Sequence, residues 1–273
     1  MKDNRTGSAW MQTYTGRQAW PDEPRASDIH LGDVAHQLAL INRFLGATCV
    51  PYSVAEHSVR CARWVETTFR RRYSASMEGF DERLRLATLA ALVHDVSEYV
   101  FGDMPRPLKR VSGMWWYRDR EERFQRVVEA WVGLPVGAVE WSIVKEADLV
   151  MLATEKRDLL APSVVPWGPL PPPDAGEIVP WDWLRAEEAF REEFERLYVD
   201  RGPVALAHFH HCPGCCQSMP CRERCTIEGE LSENGVETGA HIACSPACEK
   251  VIAERDAEHE RGAAQADGTR ASP

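Results

Sequence analysis

The first 28 residues carry no period. Polar side chains are interspersed irregularly with Trp10, Tyr14, Trp20 and Pro21, the pattern of an extended arm laid over a core, its aromatics serving as anchors. From Asp33 the apolar positions recur at spacings of three and four, at Val34, Leu38, Ile41 and Leu45, which predicts a helix. A second helix is predicted to open at Ser53. Ser53-Val-Ala-Glu56 has the form of a capping box, in which the hydroxyl takes a first-turn N–H and the carboxylate three residues on reaches back. One face of that helix carries His57, Cys61, Trp64 and Val65, and residues 70–83 follow as a charged connector.

Residues 84–96 are apolar almost all round, the mark of a helix buried in the centre of a bundle, and Gly102, Pro105 and Pro107 end the ordered stretch after it. Helical periods return at 118–132 and at 139–160, the latter through Ile143, Ala147 and Met151. Seven prolines between 161 and 181 require an extended or looped path. A last helix is expected at 183–198 with Trp183, Phe190, Phe194 and Leu197 inward. No convincing strand alternation appears in the first 200 residues, so the fold class expected is all-α. The organisation read from these shifts is an arm (1–30), a helical body (31–200), a cysteine-rich segment (203–253) and a disordered tail (254–273).

Composition narrows the class of function. The 273 residues are 44% apolar, enough to build a core, and 32 Lys and Arg against 42 Asp and Glu leave a net charge of −10. Affinity for duplex DNA comes largely from Lys and Arg displacing counterions, so no duplex partner is expected. The longest apolar run, 86–93 with Thr88 inside it, is far short of the ~20 residues a membrane span needs. The N-terminus lacks the apolar stretch of a secretory signal. No membrane association and a cytoplasmic location are therefore expected.

His94-Asp95 is expected in the middle of the apolar 84–96 helix. Burying an imidazole and a carboxylate there costs several kcal/mol, on the order of the penalty for uncompensated charge, unless they are paired or bind a metal. Two further ligand-type residues fall on apolar helical faces: His57 at the start of the capped helix, and Asp148 between Ala147 and Met151. Two imidazoles and two carboxylates suit one divalent ion of the Mn, Co, Fe, Zn or Mg group and leave positions open for water and substrate. His36, also on a helix, is read as a core or supporting histidine rather than a ligand.

Five motifs then occur in order over about residues 33–160: Leu40-Ile-Asn-Arg43-Phe44; Ser53-Val-Ala-Glu-His57-Ser; His94-Asp95-Val-Ser-Glu98; Gly102-Asp103-Met-Pro-Arg-Pro-Leu-Lys109; and Val144-Lys145-Glu-Ala-Asp148. Together they resemble the HD-domain phosphohydrolases, in the branch of bacterial 5′-deoxynucleotidases and phage dATP triphosphohydrolases. The resemblance implies an HD-domain helical bundle in which His57, His94, Asp95 and Asp148 hold one metal. It implies that Glu98 assists the nucleophilic water and that Asp103 lies near the sugar and the nucleophile. Arg43 matches a phosphate-contacting arginine, and Lys109 and Lys145 match basic residues that face the phosphate chain. Phe44 takes the place of an aromatic that stacks on the base, usually tryptophan.

The activity so implied is metal-dependent hydrolysis of a deoxynucleotide at its α-phosphate, from a mono- or a triphosphate. A catalytically silent HD scaffold whose appendage binds a protein or nucleic acid is the alternative. Retention of all four ligand types and of Glu98 argues against it. Homo-oligomer formation is left open.

Of nine cysteines, Cys49 and Cys61 stand alone and seven lie between Cys212 and Cys248. Without a signal peptide, such clustering reads as a metal site rather than as disulfides. Cys212-Pro-Gly-Cys215 forms one knuckle and Cys244-Ser-Pro-Ala-Cys248 another, with Cys221 and Cys225 as alternates to the first pair. An Asn234-Gly235 turn between 226–231 and 238–243 predicts a hairpin. Knuckle, hairpin, knuckle and helix is similar to a treble-clef zinc ribbon, in which a structural zinc supplies much of the folding energy.

Overall fold

The computed structural model describes residues 9–198 and, as backbone, the strand segments 209–211 and 218–220. The chain divides into two units, Met1–Val204 and Ala205–Pro273. The described residues of the first form eight α-helices: α1 (Leu31–Leu40), α2 (Val54–Arg72), α3 (Phe80–Val93), α4 (Glu98–Phe101), α5 (Arg106–Lys109), α6 (Trp115–Trp131), α7 (Ser142–Asp158) and α8 (Trp183–Leu197). This is the expected all-α body. The arm is more structured than its composition predicts. Two short strands, β1 (Met11–Gln12) and β2 (Gln18–Ala19), pair antiparallel around Gly16 at φ +80°. The hairpin is pinned to α1 by Thr15, whose N–H and hydroxyl donate to the Asp33 carboxylate at 2.7 and 3.0 Å. Of the arm aromatics, Trp20 is buried while Trp10 and Tyr14 stay exposed.

The lone capping box of α2 is half formed. Ser53 Oγ accepts the Glu56 N–H at 3.2 Å. The Glu56 carboxylate turns away from Ser53, accepting from Trp181 N–H at 2.9 Å and from Arg60. The helix runs through residue 72 and α3 begins at Phe80, so the expected 70–83 connector shrinks to residues 73–79. Gly79, at φ +68°, then starts α3 in a conformation that side chains disfavour.

α3 is the central helix and packs mainly on α2, with α7, α6 and α8 also against it. Leu89, Ala90, Ala91, Leu92 and Val93 are fully buried, as an all-round apolar helix must be. It ends at Val93, earlier than the period suggests. Gln125 of α6 bridges the break: its Nε2 donates to Val93 O at 2.8 Å, which also accepts Val96 N–H at 3.1 Å, and its Oε1 accepts from Ser97 N–H at 3.1 Å. His94 and Asp95 therefore sit in a tight turn between α3 and α4, not in mid-helix.

α8 closes the other side, packing on α1, α2 and α3, with its N-terminus capped by Asp182, which accepts from Arg185 N–H at 2.9 Å. Burying Phe190 and Phe194 of α8 gives about 1.5–3 kcal/mol each relative to exposure. In the second unit, β3 (Phe209–His211) pairs antiparallel with β4 (Ser218–Pro220). The predicted zinc ligands Cys212, Cys215, Cys244 and Cys248, their alternates Cys221 and Cys225, the 226–243 hairpin, the last helix and the tail lie outside the described residues.

Candidate metal centre

Four parts of the body converge on one point. α2 supplies His57 and Cys61, the turn after α3 supplies His94 and Asp95, α7 supplies Asp148 and Glu155, and the segment after α1 supplies Arg43. His94 Nδ1 lies 2.7 Å from Ala91 O, which fixes the ring proton there and leaves Nε2 with its lone pair. That Nε2 is buried and has no hydrogen-bond partner. Asp95 Oδ2 is 3.2 Å away, and a ring nitrogen that carries a lone pair has no hydrogen to give it. A buried unsatisfied nitrogen costs about 1–3 kcal/mol, a cost that a bound cation would remove.

His57 is oriented the same way from the opposite side. Its Nδ1 is 2.5 Å from Glu155 Oε1, so Nε2 faces inward. There it meets Asp148 Oδ1 at 3.6 Å, Asp95 Oδ2 at 3.7 Å and Cys61 Sγ at 3.5 Å. The nitrogen and sulfur donors of His57, Cys61 and His94 all lie within 4.8 Å of one another, a group that could hold a metal ion. The four ligands expected from sequence are thus gathered, with a thiol added.

The charge states follow from the enclosure. Burial pushes the Asp95 carboxyl up, but its neighbours, His94 first, then His57 and Arg43, outweigh it and hold Asp95 well below the usual carboxylate range. Asp148 is likewise lowered against burial, by His94, His57 and Arg106. Glu98, the first residue of α4, goes the other way: burial, then Asp95 and Asp103, push its carboxyl well up. Its Oε2 is buried and has no hydrogen-bond partner. Asp103 is raised too, mainly by burial, and accepts the Phe44 N–H at 3.2 Å. Burial, then the carboxylates Asp148 and Glu155, raise the Cys61 thiol.

The expected substrate contacts are placed unequally. Arg43 is buried and held by carboxylates, with Nε and Nη2 at 3.3 and 3.2 Å from Glu155 Oε2 and Nη1 at 3.4 Å from Asp95 Oδ2. Phe44 follows it, partly buried, with Arg43 5.5 Å from its ring centroid. Phe44 and Leu45 both adopt left-handed φ, 56° and 53°, a strain that side chains rarely carry outside functional sites. Lys109 ends the short helix α5 and pairs with Glu121 at 2.8 Å. Lys145 is not brought to the site. Its Nζ pairs with Glu140 at 2.8 Å on the exposed side of α7. His36 is neither ligand nor core: it stacks on Tyr14 and bonds Glu187 at 2.8 Å near the surface.

Three residues of the cluster escaped the sequence reading. Cys61 is four residues after His57, and Glu155 seven after Asp148, so helical spacing alone placed each on its partner's face. Arg106 of α5 donates to Asp148 Oδ2 at 2.5 Å while half exposed. Nothing local in Pro-Arg-Pro marks it.

No protein-family model matches the chain. The uncharacterized protein YfdR of Escherichia coli K12 is 35% identical over 151 residues, 55% of this chain and 72% of that protein. The chain belongs to the YfdR family. An uncharacterized protein of Rhodobacter capsulatus is 37% identical over 155 residues, again 55% of this chain, and 73% of its own length. Among the described residues no helix is long and apolar enough to cross a membrane.

Proposed function

We propose that this member of the YfdR family is a metal-dependent phosphohydrolase of the HD-domain type. It cleaves the bond between the α-phosphate and the 5′-oxygen of a deoxynucleotide, mono- or triphosphate. The observation that carries the reading is the buried, unpartnered His94 Nε2 facing the same space as His57 Nε2, Asp95 and Asp148. Those four side chains fit one divalent ion. When bound, such an ion neutralises non-bridging phosphate oxygens and makes a bound water acidic.

The rest of the chemistry belongs to the chain. Glu98 Oε2, buried and free of partners, is placed to accept the proton of the attacking water. Burial, then Asp95 and Asp103, raise its affinity for a proton above that of a free carboxylate, and a positioned general base is worth about 10²–10⁴-fold. Arg43 sets a positive charge beside Asp95, and its 3.4 Å bond to that carboxylate is the contact that a phosphate oxygen would replace. Arg106, half exposed over Asp148, and Lys109 supply further positive charge on α5. Phe44, held in place through its N–H on Asp103, offers a ring to the base.

The experiment is a product analysis. Metal-reconstituted full chain is incubated with each dNMP and dNTP, and products are resolved by ion exchange beside Asp95→Ala. Nucleoside with phosphate from monophosphates, or with triphosphate from dNTPs, supports the reading and sets the chain length. Absence of both with Mn²⁺, Co²⁺ and Zn²⁺, or equal rates in the variant, refutes it.

A further inference from the structure

We propose that the Cys61 thiolate is itself a ligand of this centre, so that the site takes a thiophilic dication such as Zn²⁺, Co²⁺ or Fe²⁺ in preference to Mg²⁺. The inference rests on the reading of this cluster as a metal centre, but not on its hydrolytic activity.

Three observations point to the thiol. First, His57 and Cys61 are four residues apart on α2, one turn along a single face, the arrangement by which a helix aims two side chains at one ion. Second, the spacing is that of two ligands on a shared ion. With about 2.3 Å from metal to sulfur and about 2.0–2.1 Å to imidazole nitrogen, an angle of about 110° at a shared ion sets sulfur and nitrogen about 3.5 Å apart. Cys61 Sγ lies 3.5 Å from His57 Nε2, and a ring nitrogen of His94 is within 4.8 Å of it. Third, a thiol–imidazole hydrogen bond satisfies only Cys61 and His57. It leaves His94 Nε2, 4% exposed as a side chain, without a partner. An ion between the three donors satisfies all of them.

A buried cysteine is otherwise an inert small hydrophobe, and a valine would serve as well. The neighbouring carboxylates oppose a free thiolate here, whereas a bound dication reverses that field, and coordinated thiols give up their proton. On binding, the Sγ–H proton leaves to solvent as the sulfur–metal bond forms. Soft sulfur then biases the site away from Mg²⁺, whose preference is for oxygen.

The test is optical and uses the full chain. Apo wild type, Cys61→Val, Cys61→Ser and His94→Ala are each loaded with Co²⁺, after circular dichroism shows that they are folded. Any thiolate-to-cobalt absorption from the cysteines of 203–253 is common to every sample, so the quantity read is the difference spectrum. A near-ultraviolet charge-transfer component that is lost in Cys61→Val, Cys61→Ser and His94→Ala alike is the expected result. Zn²⁺ affinity at that component should fall in Cys61→Val by at least the roughly 10–100-fold that even outer partners are worth, with Mg²⁺ affinity unchanged.

A difference spectrum without that component, from samples that still bind cobalt, overturns the assignment. Hydrolysis together with a flat difference spectrum removes only the thiol ligand. The charge-transfer component without hydrolysis of any deoxynucleotide removes only the proposed activity.

Discussion

Glu155→Gln tests the buried scaffold behind the centre with almost no change of shape. The carboxylate is fully buried and carries three contacts: Oε1 at 2.5 Å from His57 Nδ1, and Oε2 at 3.2 and 3.3 Å from Arg43 Nη2 and Nε. A glutamine keeps one acceptor oxygen and turns an NH₂ on the other donor. Either Arg43 or the His57 N–H then faces a donor. Hydrogen bonds to charged groups are worth about 1.5–3 kcal/mol each, so losing one or two costs about 3 kcal/mol. Breaking a buried pair outright would cost about 3–5 kcal/mol, which brackets the estimate from above.

For a unit of this size about 2–4 °C of Tm accompanies each kcal/mol, so the metal-free variant should melt about 6–12 °C lower. Without its partner His57 is free to take the other tautomer, and metal affinity should fall about 10–100-fold. Thermal unfolding by circular dichroism and competitive metal titration read the two effects. Glu66→Gln, which loses only partly exposed pairs with Arg70 and Arg196, is the control and should cost at most about 1 kcal/mol. If the two variants melt together and bind metal equally, the reasoning about Glu155 is wrong.

Three further outcomes are expected. Phe190→Ala, at a fully buried position of α8, should cost about 3–5 kcal/mol in urea unfolding, and a loss under 1 kcal/mol would contradict the packing described. Leu45→Gly removes a left-handed strain of about 1–2 kcal/mol at an exposed residue but adds unfolded-state entropy. Stability should hold or rise by up to about 1 kcal/mol, and a clear loss would mean that the Leu45 side chain is anchored. Glu129 is raised by burial although Gly137 and Val139 N–H groups bond it. A carboxyl raised in the folded state contributes stability below its unfolded pKa, and that is lost as pH rises through the folded value. Wild type should therefore lose stability relative to Glu129→Gln as pH rises above the ordinary carboxylate range, and a wild type that gains on the variant as pH rises would reverse the sign assigned.

Periodicity carried the body of the fold because its helices bury single stripes or, for α3, every face. It failed where a side chain overrides the period. Nothing local at His94 says that Gln125, 31 positions on, will capture Val93 O and Ser97 N–H and end the helix there. The β1–β2 hairpin was invisible for a related reason: two-residue strands are too short to alternate, and Asp33 holds them from outside. In the site, His57, His94, Asp95 and Asp148 could be read as polar residues on apolar faces. Glu155 and Cys61 could have been found by the same test, because each is helically in step with a residue already chosen. Arg106 and the surface turn of Lys145 depend on how α5 and α7 are placed, which no spacing along the chain encodes.

On the proposed reading, the His57, His94, Asp95 and Asp148 donors make hydrolysis metal-dependent. It is tested most directly by running the reaction in ¹⁸O-labelled water with chelator-stripped full chain, before and after reconstitution, on a deoxynucleoside 5′-mono- and triphosphate. Label in the released phosphate or triphosphate after reconstitution, and no product before it or with His94→Ala, is the result expected. Product formed equally by the stripped protein, or label found in the nucleoside instead, would contradict the account.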